Sequence, residues 1–151
     1  MDNIKPFKFI GIGVRTSNTT GKATQDLGEL WGRFFQDQVG EKIGGKVKED
    51  IYSIYTDYES DYTGEYTCLI GFQVESIEDV PEGMIGREFE GGKYRKFVAK
   101  GEMPEAVVTT WQEIWKNDGE LNRKYTVDFE VYGPKCQQGD TSEVDIFVGV
   151  N

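Results

Sequence analysis

Apolar residues recur at alternate positions in several short runs of the chain, a spacing typical of β-strands that bury one face. These runs predict strands over residues 7–15, 51–58, 66–75, 84–89, 93–100, 125–132 and 143–150. In two longer segments, 25–38 and 104–116, the apolar residues recur at helical spacing, which predicts two amphipathic helices.

The predicted elements follow one another as strand, helix, strand, strand, and the same order then repeats. ELWGRFFQ aligns with TTWQEIWK, which places Trp31 opposite Trp111, and IYSIY aligns with DFEVY. A repeat of this kind indicates two copies of one supersecondary unit. We therefore predict an α+β fold, in which duplicated βαββ units of about 7–75 and 84–150 form one antiparallel sheet with two helices, all in a single domain of residues 1–151.

The chain is strongly acidic, with 17 basic and 27 acidic residues and a formal net charge of -10. Such a charge repels phosphate backbones and anionic lipid, so we expect no direct nucleic-acid binding and no membrane association. The N-terminal segment MDNIKPFKFIGIGVRT has no apolar stretch long enough for a signal peptide, and no later run is long enough to span a membrane. We therefore predict a cytoplasmic protein.

Two motifs resemble ligand-binding loops but depart from them at essential positions. GEKIGGKV, residues 40–47, approaches a phosphate-binding loop, yet Val47 stands where a hydroxyl group must bind magnesium. Residues 57–68 resemble a calcium loop, yet Tyr62 replaces the required glycine and Cys68 the final glutamate. The absence of histidine excludes Ser-His-Asp triads and His-Cys zinc sites. We therefore expect no metal and no cofactor, and we assign no catalytic residue.

One acidic residue, Glu130, lies inside the strand-like run VDFEVYG of residues 127–133. Strand residues alternate between faces, so Glu130 shares a face with Asp128 and Tyr132. Two interpretations stay open: a solvated residue on an outward face, or a carboxylate planted in a pocket. A buried, unpaired carboxylate raises its pKa or attracts a cation. If the register permits, Phe147 of the last strand lies on the same surface.

The aromatic residues on the two predicted helices also have two interpretations. Trp31 and Trp111 fit an ordinary core, and they also fit a flat wall that faces a cavity between the helices. A cavity with aromatic walls and one carboxylate suits a flat, lipophilic cation, because each desolvated ring that faces a cation adds roughly 0.5–2 kcal/mol.

Three segments carry a resemblance to a known family: EFEGGKYRKFVAKG, VVTTWQEIW and above all YTVDFEVYGP, with looser matches in ELWGRFF and YSIYTDY. From about Phe7 to Val150 the chain resembles the GyrI-like domain, the effector-binding domain of AraC-type and MerR-type multidrug transcription regulators. The resemblance implies a duplicated βαββ fold that binds lipophilic cations in an aromatic pocket.

The resemblance also implies that Glu130, the glutamate of the DFE element, is the central acid of that pocket. The positional matches for its aromatic wall are Trp31, Tyr55, Tyr66, Trp111 and Phe147. We therefore predict a stand-alone module that senses or sequesters amphipathic, cationic, drug-like small molecules. Because no DNA-binding segment is evident, control of transcription requires a separate DNA-binding partner.

Two other functions stay open on the sequence alone. Some GyrI-like proteins hydrolyse reactive electrophilic natural products, and Glu130 would then be the general base that activates water. Alternatively, the acidic surface caps a basic site on a target protein, such as a DNA-handling enzyme.

Overall fold

The computed structural model describes residues 2–18, 21–61 and 63–151, and one curled antiparallel sheet forms the centre of this part of the chain. Its strands are β1 (Asp2–Ile4), β2 (Phe7–Ser17), β3 (Ile51–Thr56), β4 (Glu65–Val74), β5 (Ile85–Phe89), β6 (Gly92–Lys100), β7 (Arg123–Tyr132) and β8 (Glu143–Val150). The helices are α1 (Lys22–Gln36), α2 (Val39–Lys42), α3 (Glu105–Lys116) and α4 (Asp118–Leu121), with 3-10 turns at Pro134–Gln137 and Gly139–Thr141. The predicted α+β class is confirmed.

The strand order, β1-β6-β8-β7-β3-β4-β2-β5, shows the predicted duplication directly. The first unit contributes β2, β4 and β3, and the second contributes β6, β8 and β7 in the mirrored position. The two units meet where β3 pairs with β7. We call this β3–β7 pair, together with the side chains of α1 and α3 that pack over it, the seam.

The two outer strands are exchanged between the units, since β1 pairs with β6 and β5 pairs with β2. Residues 5–6 link β1 to β2, and residues 90–91 link β5 to β6. On one side of these two links, Ile4 pairs with Gly92. Phe7 pairs with Phe89 on the other side, in the same register. At the crossing, a Cβ atom on Gly91 would lie 2.4 Å from the carbonyl oxygen of Ile4, so this close approach requires glycine. Each end of the curled sheet is therefore formed by an outer strand that comes from the other unit.

The curl gives the sheet an inner, concave face, and α1 and α3 cover the outer face. The ring centroids of Phe7 on β2 and Phe129 on β7 lie 5.5 Å apart, although these strands are not neighbours. Their contact therefore crosses the concave interior of the curl. The buried residues that fill the inner face are Phe7, Phe9, Tyr52, Ile54, Leu69, Phe89, Tyr94 and Phe129.

The outer face carries two separate clusters, one under each long helix. Leu30 and Phe34 of α1 belong to the first cluster, and Trp111 and Ile114 of α3 belong to the second. Tyr55 packs against both clusters, so its side chain lies at the seam between them. In the described part of the chain, no helix has the length and apolar character needed to cross a lipid bilayer.

Candidate functional site

Glu130 lies at the centre of the seam, on the outer face of β7. It pairs directly with Ser53 of β3, so the two units of the fold meet at this residue pair. The residue is only 1% exposed, although a glutamate is normally solvated. Its burial excludes the first of the two interpretations that the sequence leaves open, a solvated residue on an outward face.

Three side chains donate hydrogen bonds to this carboxylate, and we call them the Glu130 cage. The indole Nε1 of Trp111, on α3, donates to Oε2 at 2.5 Å. The hydroxyl of Tyr55, on β3, donates to the same oxygen at 3.0 Å. The hydroxyl of Tyr132, on β7, donates to Oε1 at 2.5 Å. The cage therefore draws on both units of the fold.

Burial and the cage act in opposite directions on the ionisation of Glu130. Burial raises the pKa of its carboxyl group, whereas the hydrogen bonds from Tyr132, Trp111 and Tyr55 lower it, and the net shift is upward. Burial, followed by the adjacent carboxylate, raises the pKa of the Tyr55 and Tyr132 hydroxyls well above the usual range. Both hydroxyls therefore keep their protons and remain donors.

A second buried carboxylate, Asp128, lies two residues before Glu130 on the same face of β7. Unlike Glu130, it has a cationic partner among the described residues. The guanidinium of Arg123 forms an ion pair with Asp128 at 2.7 Å, and the backbone N–H of Gly149 donates to it at 2.8 Å. The hydroxyl of Tyr58 also donates to Asp128. Among the described residues, by contrast, no lysine or arginine forms an ion pair with Glu130. Within the described residues, Asp128 therefore has a cationic partner and Glu130 has none.

Aromatic rings surround the cage in a pattern that follows the repeat. The Trp31 ring meets the Tyr132 ring edge-on with centroids 5.2 Å apart, and the Trp111 ring meets the Tyr55 ring in the same way at 5.6 Å. Each tryptophan thus contacts the tyrosine of the other unit. Four of the predicted residues, Glu130, Trp31, Tyr55 and Trp111, therefore gather at the seam.

Tyr66 is a more distant neighbour of the cage. Its ring meets the Tyr55 ring at a centroid distance of 5.8 Å, and its hydroxyl donates to Asn18 Oδ1 at 2.8 Å. Tyr66 therefore supports a member of the cage without bonding to Glu130.

Phe147 does not share the surface of Glu130, so that expectation is wrong. In the β7–β8 pair, Glu130 is opposite Ile146, and Phe147 is opposite Phe129. Directly paired strand residues share a face, so Phe147 lies on the inner face of the sheet. Its ring stacks on Phe129 with centroids 4.9 Å apart and an interplanar angle of 21°.

Tyr132 is the member of the cage that the sequence prediction missed. Two sequence signals point to it: Tyr132 follows Glu130 by two strand positions, and it aligns with Tyr55 in the repeat.

The cage is closed in this structure. Two cavities, of about 420 Å³ and about 310 Å³, open elsewhere on the molecule, and Glu130 lines neither of them. The Trp111 ring is buried, whereas Trp31, Tyr55 and Tyr132 are partly exposed. The side of the cage nearest to solvent is therefore the aromatic side between the helices.

The chain is similar in sequence and in fold to several known proteins. Residues 2–150 match the Cass2 family model of integron-associated effector-binding proteins. The integron cassette protein VCH_CASS2, from the mobile metagenome of Vibrio cholerae, superposes with a TM-score of 0.77 at 29% identity, over 99% of this chain and 94% of its own. SAV2435, solved bound to tetraphenylphosphonium, superposes with a TM-score of 0.79 at 21% identity, over 99% of this chain and 92% of its own. The transcriptional regulator BrlR of Pseudomonas aeruginosa is 30% identical over 137 residues, which are 86% of this chain but 48% of BrlR.

Proposed function

The chain belongs to the family of integron-associated effector-binding proteins, and from that premise we propose that it binds lipophilic, cationic, drug-like molecules at the seam. In this proposal Glu130 supplies the countercharge, and the aromatic side chains between α1 and α3 supply the walls.

The observation that carries the proposal is the lack of a cation beside Glu130. Asp128, the other buried carboxylate on this face of β7, forms an ion pair with Arg123 at 2.7 Å. The cage gives Glu130 hydrogen bonds but no opposite charge within the described residues. An ionised group in apolar surroundings is strongly stabilised by a counter-ion. A bound cation would fill that role.

The route to the carboxylate passes through the aromatic side of the cage. Trp31 stacks on Phe35 with an interplanar angle of 24°, and Phe35 is 62% exposed. Below them, Trp31 meets the Tyr132 ring edge-on. Rotation of the Trp31 and Tyr132 side chains would open a path from solvent to Glu130 between aromatic faces, which attract cations. Binding therefore requires these two rings to move.

The chemistry of the site selects for charge more than for shape. Trp111 and Tyr55 still donate to the carboxylate after Tyr132 has moved, so the ligand needs no hydrogen-bonding group of its own. A cation whose charge is shielded by apolar groups loses little hydration on entry and fits such surroundings. Tetraphenylphosphonium, the compound bound to SAV2435, has this chemistry, since four phenyl rings surround its single positive charge.

The proposed role is to sense or sequester such compounds in the cytoplasm. BrlR is named a transcriptional regulator, and this chain matches 48% of its length. Because a net charge of -10 opposes direct contact of these 151 residues with DNA, control of transcription would depend on a DNA-binding region outside them or on a partner protein.

The decisive experiment is a calorimetric titration with tetraphenylphosphonium of the wild type and of Glu130→Gln. The amide fits the cage, since its oxygen accepts from Trp111 and Tyr55 while its nitrogen donates to the Tyr132 hydroxyl, which can turn to accept. We expect at least a tenfold loss of affinity, about 1.4 kcal/mol.

Two controls separate this effect from a general change of charge. Glu113→Gln removes an equivalent charge from the exposed surface of α3 and is expected to leave the affinity unchanged. Triphenylphosphine oxide, which is aromatic but neutral, is expected to bind the wild type and Glu130→Gln equally. Equal affinity of the wild type and Glu130→Gln for tetraphenylphosphonium would overturn the proposal.

A further inference from the structure

On the inner face of the sheet we propose a second ligand site, which takes a flat aromatic molecule with one negative charge. The site is a cavity of about 310 Å³ lined by strands β2, β3, β4, β7 and β8 and by the link between β1 and β2. It lies on the opposite side of β7 from the Glu130 cage, and its preferred charge has the opposite sign.

A row of parallel rings forms the apolar wall of this cavity. The rings of Tyr52 and Phe129 are 5.6 Å apart with an interplanar angle of 17°. The rings of Phe129 and Phe147 are 4.9 Å apart with an angle of 21°. Phe147 is only partly buried at the end of the row. The partly exposed edge of Phe147 therefore offers a planar aromatic ligand an edge-on contact, one of the arrangements that aromatic pairs prefer.

Cations of the protein already occupy the outer faces of this row. The ammonium group of Lys48 lies 5.3 Å from the centroid of the Tyr52 ring. The ammonium group of Lys96 lies 5.9 Å from the centroid of the Phe147 ring. A positively charged ligand would have to displace these groups, so the cavity disfavours the class of compound proposed for the seam.

One lysine beside the cavity has no carboxylate partner among the described residues. Lys48 forms an ion pair with Asp50 at 3.7 Å, and Lys96 forms one with Asp145 at 3.7 Å. Lys5 also lines the cavity, and within the described part of the chain it forms no ion pair. Each carboxylate thus has a lysine partner, and the ammonium group of Lys5 is left for an anion.

The test uses 1-anilinonaphthalene-8-sulfonate, an aromatic monoanion whose fluorescence rises in apolar surroundings. We expect a saturable rise in fluorescence with the folded wild type. Saturation with tetraphenylphosphonium is expected to leave this titration unchanged, and so is Glu130→Gln, because the two sites lie on opposite faces of β7. Failure of cation binding at the seam and failure of the present inference are therefore separate outcomes.

Variants of the cavity sharpen the test. Phe147→Ala removes the end of the ring row, and Val131→Phe fills the cavity while keeping an apolar side chain on the inner face. Each is expected to weaken binding of the probe at least tenfold in protein whose near-ultraviolet circular dichroism shows a folded core. Lys5→Gln is expected to weaken it several-fold, whereas Lys116→Gln, on the exposed end of α3, leaves it unchanged.

Three results would overturn the inference. They are the absence of saturable binding by the wild type, competition by tetraphenylphosphonium, and unchanged binding by folded Val131→Phe.

Discussion

Ser53 and Glu130 face each other across the β3–β7 pair and hold equivalent positions in the two repeats. The pseudo-twofold axis of the duplicated fold therefore passes between a serine and a glutamate. The surrounding residues form equivalent pairs across this axis, Trp31 with Trp111 and Tyr55 with Tyr132. Hydrogen-bond donors of the same kinds are thus present on both sides, whereas the acid is present on one.

This symmetry predicts that the acid can be moved across the axis. In the double variant Ser53→Glu/Glu130→Ser, the new carboxylate would meet the indole of Trp31 and the same two tyrosine hydroxyls. We expect the double variant to bind tetraphenylphosphonium within about tenfold of the wild type, roughly 1.4 kcal/mol, and Glu130→Ser alone to bind far more weakly. Calorimetric titration measures both affinities. Equally weak binding by the single and double variants would show that the two sides of the axis are not interchangeable.

The affinity for tetraphenylphosphonium is predicted to depend on pH. Burial raises the pKa of Glu130, and only the ionised carboxylate is a countercharge. The affinity should therefore be constant above that raised pKa and should fall about tenfold for each pH unit below it. Tetraphenylphosphonium does not titrate, so the change reports on the protein. Titrations between about pH 5 and 8 test this, and a decline of the same size in Glu130→Gln would assign it to another group.

The same raised pKa predicts a pH-dependent difference in stability between the wild type and Glu130→Gln. The folded wild type holds the Glu130 proton at pH values where the unfolded chain has lost it. Its free energy of unfolding therefore decreases as the pH rises from the ordinary glutamate pKa through the raised one. Glu130→Gln lacks this contribution, so its stability relative to the wild type should increase across that window. Urea unfolding at a series of pH values measures the difference, and a difference that is independent of pH contradicts the prediction.

Asp128→Asn is predicted to destabilise the fold strongly. The variant removes the 2.7 Å ion pair from the buried guanidinium of Arg123 and leaves it the 3.2 Å ion pair with Asp118, whose side chain is 23% exposed. Removal of one partner from a buried ion pair typically costs about 3–5 kcal/mol, and because Asp118 remains beside Arg123 we expect a loss toward the lower end of that range. Urea unfolding at neutral pH gives the value. The double variant Arg123→Met/Asp128→Leu should lose less than the sum of its single changes, and strict additivity would mean that the pair is not coupled.

Most of the fold follows from the order of its elements, because the repeated strand-helix-strand-strand pattern is local. The predicted GyrI-like relationship is confirmed, and each predicted helix and strand lies within a few residues of its predicted range, whereas β1 (Asp2–Ile4) was not predicted. The exchange of β1 and β5 was not predicted. Which outer strand pairs with which unit depends on contacts far apart in the sequence, and the pattern within a strand carries no information about its partner.

For the site as well, features that lie within one segment were visible in the sequence, whereas the pairing of distant segments was not. The position of Glu130 within an apolar run and the repeat alignment of Trp31 with Trp111 were visible in the sequence. The error for Phe147 arose in the register of β7 against β8, which shifts between Arg123 and Asp128. A slip of one residue in the register moves every side chain of a strand to the other face of the sheet. The alternation of apolar and polar residues along a strand does not by itself determine that register.

The exchanged outer strands describe what an unduplicated precursor of this fold would be: a symmetric dimer in which each chain gives its first strand to the other. In such a dimer every residue beside the axis occurs twice, so the binding site would hold two acids or none. Fusion of the copies into one polypeptide removes that restriction. The fused chain can therefore carry a single carboxylate beside the pseudo-twofold axis, which matches a ligand with one positive charge.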